Sequence, residues 1–248
     1  MNVLVCISHV PDTTSKINFN ENNTKFETNG VQFVINPNDE FGLTRSIWFK
    51  EKQSAEVHVI HVGTSQADPT LRKCLAIGAD KAIRIDTIAK DGISVAKELA
   101  AFVNKNNYDL IIAGRESIDY NGAMVPGMLA ALLNMPFVPN CIGLEIQGNR
   151  ALAEREIDGG REKLKGILPI VIGGQKGLVE ESDLKIPNMR GIMKARQKPF
   201  DVISSIEAKA YTNNSSFEKP VTKADVKLVP ADDIDQLIDL LHKEANVI

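Results

Sequence analysis

Through about residue 135, short continuous apolar runs alternate with stretches of helical periodicity, and this alternation restricts the fold more than any other feature of the chain. Residues 56–63, ending in glycine, and residues 81–85 read as strands, while Asn2-Val3-Leu4-Val5-Cys6-Ile7-Ser8 and residues 108–114 are the more continuous apolar runs. The latter two read as buried strands, the first of them buried on both faces. Between them, Asn36-Pro37-Asn38-Asp39-Glu40 carries helix-start chemistry, with side-chain oxygens for free N–H groups and acids for the positive end of the dipole, and predicts a helix to about residue 51. Leu71, Cys74, Leu75 and Ile77 make a helical stripe that Gly78 ends as an αL cap. Val95, Leu99 and Phe102 mark a helix over 93–103, and a further apolar helix is expected over 123–133. Strands and helices alternating at these lengths require parallel pairing with crossover helices. The expected fold is therefore α/β: an open, doubly wound, mostly parallel, Rossmann-like sheet. A small hairpin excursion over 16–35 interrupts it, through Ile17, Phe19, Phe26, Val31 and Phe33.

The pattern then changes. Residues 142–146, a Gln147-Gly148-Asn149 turn and residues 151–157 predict an added antiparallel hairpin, and a further strand pair ends in residues 167–174. From about 175 to 230 the chain shows little patterning and carries Pro187, Pro199, Pro220 and Pro230. Unpatterned segments of that length in a domain usually serve binding, so an extended C-terminal arm that packs on another surface is expected. Residues 232–244 close the chain as an amphipathic helix with Ile234, Leu237, Ile238 and Leu241 on one side. The resulting division is a sheet-plus-hairpin domain over 1–185 and a loop-and-arm region over 186–248.

A net charge of −3 gives no electrostatic reason to expect nucleic acid as a partner. No apolar run reaches the ~18 residues of a membrane helix, so direct membrane insertion is not expected. Three scattered cysteines suit reduced thiols in a cytoplasmic setting, and no ligand spacing indicates zinc.

In a doubly wound sheet, ligands bind beyond the carboxyl ends of the strands. The segments to inspect are Ser8-His9, Val62-Gly63, and the loop from Gly114 through Arg115, Glu116, Ser117, Ile118, Asp119, Tyr120, Asn121 and Gly122 into the next helix. Glycines allow close backbone approach, and N–H groups at a helix start suit a phosphate. Neither a GxxxxGK[ST] nor a GxGxxG sequence is present. Catalytic groups are sparse. His58 and His61 fall on opposite faces of one strand by parity, and Cys6 and Cys141 lie in apolar runs where a thiol usually only packs. Arg155 and Arg161 are interleaved with Glu154, Glu156, Asp158 and Glu162, as in a solvated charged hairpin.

Several segments together resemble the β subunit of the electron-transfer flavoprotein family. The fullest is Ala153-Glu154-Arg155-Glu156-Ile157-Asp158-Gly159-Gly160-Arg161-Glu162-Lys163-Leu164, followed by Pro169-Ile170-Val171-Ile172. The next position is Gly173, where the family pattern has Thr, Ala, Cys or Ser. VLVCISHVPDT at the start, INPNDE at 35–40, LRKCLAIGAD at 71–80, DLIIAGRESID at 109–119 and RGIMKARQKP at 190–199 follow in the family's order.

The resemblance implies a non-enzymatic electron carrier. It implies a heterodimer with an α subunit that holds most of one shared FAD, accepting electrons from dehydrogenases such as acyl-CoA dehydrogenases and passing them to a quinone reductase. It further implies a structural AMP held by Cys6, Ser8, Asn36, Pro37, Asn38, Asp39, Val62, Gly63 and Gly114 through Asn121, Gly122, Ala123, Met124 and Val125. Relatives that hold AMP tend to have a hydroxyl near the position of Val125; electron-bifurcating relatives hold a second FAD there, and that alternative stays open. Met189, with Ile186, Arg190 and neighbouring residues, matches a recognition loop for dehydrogenases. Glu156 matches an acid that restrains the partner's flavin domain, and Pro11, Asp12 and Thr13 match residues near the partner's flavin ring. The readings from other classes are an adenine-nucleotide-dependent enzyme on a related fold, for which Ser8-His9-Val10-Pro11-Asp12 lacks an SGGxDS-type loop, and a nucleotide-sensing domain that leaves the hairpin and arm without a role.

Overall fold

Val3, Leu4 and Val5 are fully buried, and their strand β1 (Asn2–Cys6) lies inside a nine-stranded sheet with neighbours on both sides. This is a computed structural model, and it describes residues 1–222 and 225–248; residues 223 and 224, within the expected arm, lie outside the described residues. After β1 the chain makes an antiparallel excursion, β2 (His9–Pro11) with β3 (Phe33–Ile35), bridged near its tip between Phe19 and Phe26. It continues through α1 (Pro37–Gln53), β4 (Glu56–Gly63), α2 (Asp68–Ile77), β5 (Lys81–Asp86), α3 (Gly92–Val103), β6 (Leu110–Gly114) and α4 (Val125–Leu133). Then come β7 (Phe137–Gln147), β8 (Arg150–Ile157), β9 (Gly160–Ile167), β10 (Ile170–Gly174), α5 (Met189–Ala195), β11 (Phe200–Ser204) and α6 (Ile234–Asp239).

The sheet order is β11-β5-β4-β1-β6-β10-β7-β8-β9, parallel from β11 to β7 and antiparallel through β7, β8 and β9. This is the expected doubly wound, mostly parallel sheet with an added hairpin. Helices cover both faces. Phe41, Leu43 and Ile47 of α1 and Leu71 and Leu75 of α2 fill one side, while Leu99 and Val103 of α3 and Leu129 of α4 fill the other. Burying residues on both faces of the central strands explains why their sequences are continuously apolar.

Several local expectations are corrected. β9 and β10 do not pair with each other: β10 runs between β6 and β7, in parallel with both, because its fully buried Ile170-Val171-Ile172 needs cover on two faces and two edges. The stretch expected to lack regular structure contains α5, packed on α2, and the edge strand β11, paired with β5. Gly78 caps α2, but at φ 154° rather than in the αL region; a Cβ there would meet Ile47 at 3.0 Å. α4 begins at Val125, after Asn121 and Ala123 take positive φ values of 47° and 48°. The closing helix is α6 followed by a π-helical turn, Leu240–Glu244, and starts after Asp233, whose side chain accepts the Gln236 N–H.

Candidate functional site

Strand order reverses between β1 and β6, because the connection from β1 leads outward to β4 and that from β5 crosses back to β6. Beyond the carboxyl ends of these strands lies a cavity of about 310 Å³. Asp39 ties the two strand ends together beneath it. Its Oδ2 accepts the Ser8 N–H at 2.7 Å and its Oδ1 accepts the Gly114 N–H at 2.8 Å. Gly114 has to be glycine for this contact, since a Cβ would stand 2.3 Å from Asp39 Oδ1. Burial pushes the Asp39 carboxyl up to about 7, against the opposing effect of these hydrogen bonds.

Asn36 does not cap α1 as its position suggests. It is fully buried and reaches across to the loop after β6, where Nδ2 donates to the Glu116 carbonyl at 2.9 Å and Oδ1 accepts the Ile118 N–H at 3.1 Å. Asn38 Nδ2 donates to the same carbonyl at 3.1 Å. The Asn-Pro-Asn-Asp sequence thus shapes the loop rather than only starting a helix.

Of the expected site residues, Cys6, Ser8, Asp39, Val62, Gly114, Glu116, Ser117, Asp119, Tyr120, Gly122, Ala123, Met124 and Val125 line the cavity. Asn36, Pro37, Asn38, Gly63, Arg115, Ile118 and Asn121 do not. Arg115 instead pairs with Glu116 at 2.7 Å and donates to Gln175 Oε1 at 3.1 Å. The Gly63 carbonyl accepts from Arg84 at 3.1 Å, and a Cβ on Gly63 would stand 2.2 Å from His61 Nε2.

His9, in a strand-end segment singled out from sequence but given no place among the expected site residues, lines the cavity together with His61, which sequence reasoning missed. His61 lies on the face of β4 opposite His58, as parity requires, but it converges with His9 from the loop after β1, at a ring separation of 6.3 Å. The bond between His61 Nδ1 and the Ile7 carbonyl, 2.8 Å, places the proton on Nδ1. His9 stacks on Phe33 at 4.5 Å and shares a 2.8 Å hydrogen bond with Thr70 Oγ1. Burial, then the nearby His61, lowers His9 to about 4. His61 is lowered as well, chiefly by burial. Both rings are neutral at pH 7, and burial raises the Cys6 thiol far above the ordinary thiol range. These three groups can meet a ligand through dipoles and apolar contact, and the Cys6 thiol is not an ionised nucleophile.

The rim has two further parts. Lys90, Asp91 and Gly92 lie at the start of α3, and Thr212 and Asn214 come from the chain after β11. Only long-range contacts bring the latter in, so no local sequence signal marks them.

The partner-docking candidates lie elsewhere. Met189 begins α5 and is 75% exposed, and Ile186 is 81% exposed. Glu156 is exposed at the end of β8, where its Oε2 accepts from Gln175 Nε2 at 2.6 Å. Arg155 pairs with Glu162 at 2.6 Å across the hairpin. Among the described residues, no cluster of side chains suited to a metal ion is present, and no helix is long and apolar enough to cross a membrane.

Fold and site together define a doubly wound α/β protein with a ligand-sized cavity at its switch point and an arm laid over that cavity's rim. A family model described as "Electron transfer flavoprotein domain" matches residues 23–208. The chain is similar to the "Electron transfer flavoprotein subunit beta" of Bacillus subtilis, at 34% identity with both chains covered in full. It is similar also to the "Probable electron transfer flavoprotein subunit beta" of Saccharomyces cerevisiae, at 34% identity over 98% of this chain and 96% of the relative. The human "Electron transfer flavoprotein subunit beta" is 32% identical over 82% of this chain and 81% of its own length. The chain belongs to the electron transfer flavoprotein family.

Proposed function

We propose that this chain is the β-type subunit of a heterodimeric electron carrier, with FAD held mainly by an α-type partner and one AMP buried as a structural group in the switch-point cavity. The observation that supports this most is the position of the cavity, which brings together strand-end segments that both topology and family resemblance select. FAD, when bound, supplies the redox chemistry; this chain contributes binding, orientation and a docking surface.

The cavity fits a nucleotide in size and lining. Its volume of about 310 Å³ lies at the low end of small-molecule sites, which favours a mononucleotide. Val62, Val95 and Leu99 offer apolar walls to a base, while Ser8, Ser117 and the backbone of 122–125 offer polar groups to ribose and phosphate. A second FAD is the alternative. Val125 favours it, since a phosphate there lacks a side-chain hydroxyl worth about 1.5–3 kcal/mol of charge-assisted hydrogen bonding; the cavity's modest volume counts against it.

Docking of dehydrogenases is assigned to Met189 and Ile186, exposed apolar side chains beside Arg190. Burial of the Met side chain would contribute ~1.5–3 kcal/mol, with charge guiding approach. Residues 186–248 are proposed as the recognition loop and partner-binding arm, and Glu156 as the contact that restrains the partner's flavin domain. The three cysteines are free and buried, in keeping with a cytoplasmic location. Co-expression with an α-type partner, followed by purification, is expected to give a heterodimer with flavin absorbance. A colourless product, or no heterodimer, refutes the assignment.

A further inference from the structure

Residues 205–214 leave β11 and run over the cavity rim without forming helix or strand. Two carboxylates of the α3 region hold them there. Glu98, itself buried, accepts from Ser205 Oγ at 2.6 Å, the Ile206 N–H at 3.0 Å and the Ala208 N–H at 2.9 Å. Asp91 Oδ2 accepts the Tyr211 N–H at 2.6 Å and the Thr212 N–H at 3.1 Å, while its Oδ1 caps α3 by accepting the Ser94 N–H at 2.9 Å. Asn214 Nδ2 then donates to the Tyr120 hydroxyl at 3.0 Å, on the loop across the cavity.

Little apolar burial supports this seating. Ile206 is 52% exposed and Tyr211 is 65% exposed. The segment is held mainly by a few hydrogen bonds to charged acceptors, the kind of attachment that opens locally while the sheet stays folded. Thr212 and Asn214 nonetheless form part of the cavity wall. The seated segment therefore completes the site, and the same segment stands in the way of exchange.

We infer that residues 205–214 are a strap that must lift from Asp91 before a nucleotide can enter or leave the cavity, which makes Asp91 a positioning residue for nucleotide retention. This rests on the nucleotide reading of the cavity. Asp91 holds the strap through two backbone N–H groups and the Thr212 hydroxyl at 3.4 Å. Because Asp91 and Thr212 also line the cavity, exchange of the strap amides is the readout that separates lifting of the strap from loss of a wall contact. Thr212→Pro deletes one of those N–H groups and leaves the α3 cap intact; Asp91→Asn keeps an oxygen for the cap and replaces the strap acceptor with a donor.

The test measures release of labelled AMP from the purified flavin-containing complex into excess unlabelled AMP, with hydrogen exchange of the strap amides followed in parallel. Both variants are expected to release AMP roughly tenfold faster or more, with faster strap exchange and unchanged flavin content. Unchanged release alongside faster strap exchange overturns the inference, as does a strap that stays protected in both variants. A wild-type complex that yields no AMP on denaturation refutes the nucleotide reading itself; AMP retained equally by wild type and variants refutes only the strap.

Discussion

Replacing Asp39 with asparagine probes the polar joint on which the cavity is built. The carboxyl ionises near 7 in the folded chain and near 3.8 as a free group. Between these values the folded state binds more protons, so the contribution of Asp39 is fully present below the lower value and is lost as pH rises through the upper one. At ~1.4 kcal/mol per pH unit, the loss from pH 5 to pH 8 is on the order of 2–3 kcal/mol. The amide introduced by Asp39→Asn does not titrate. At pH 5 that amide turns a donor toward one of the Ser8 and Gly114 N–H groups, and the orphaned group costs about 1–3 kcal/mol. Urea unfolding of wild type and Asp39→Asn at pH 5 and pH 8 should therefore show the variant less stable at pH 5 and the gap closing or reversing at pH 8. A gap that stays constant or widens would show that the two amide hydrogen bonds outweigh burial and keep Asp39 ionised, refuting the reasoning.

Gly114→Ala should destabilise the chain by about 1–3 kcal/mol and abolish nucleotide retention, because its Cβ would stand 2.3 Å from Asp39 Oδ1 and 2.8 Å from Asn38 Cβ; thermal melting and nucleotide content read the two effects. Met189→Ala should leave the melting midpoint unchanged, since the side chain is 75% exposed, and should weaken docking to an acyl-CoA dehydrogenase by roughly tenfold to a hundredfold. An unchanged rate of electron uptake at sub-saturating dehydrogenase, with intact flavin content, removes Met189 from the docking surface.

The central sheet is legible in the sequence because strands buried on both faces must be apolar throughout, as Val3-Leu4-Val5 and Leu110-Ile111-Ile112 are. β10 has the same signature, but nothing in its composition says that it passes β9 to enter between β6 and β7. β11 escapes notice for the opposite reason: as an edge strand, with Asp201 and Val202 exposed, it needs only a partial apolar pattern. At the site, the glycines and the polar loop after β6 are visible from sequence. The roles of Asn36 and Asp39 are not, because both residues also suit an ordinary helix start. Parity places His58 and His61 on opposite faces, but it cannot show that His61 meets His9 from another loop. Asp91 caps α3 through a neighbour in sequence, Ser94, whereas its second set of contacts, to residues 211 and 212, depends on chain folding back from far along the sequence.

The most direct test of the proposed function is to denature the purified heterodimer and quantify the nucleotides released by chromatography and mass spectrometry. FAD and AMP in equal amounts are expected. Two FAD with no AMP would place a second flavin in the switch-point cavity and contradict the structural-nucleotide assignment, and FAD with no other nucleotide would contradict any nucleotide role for that cavity.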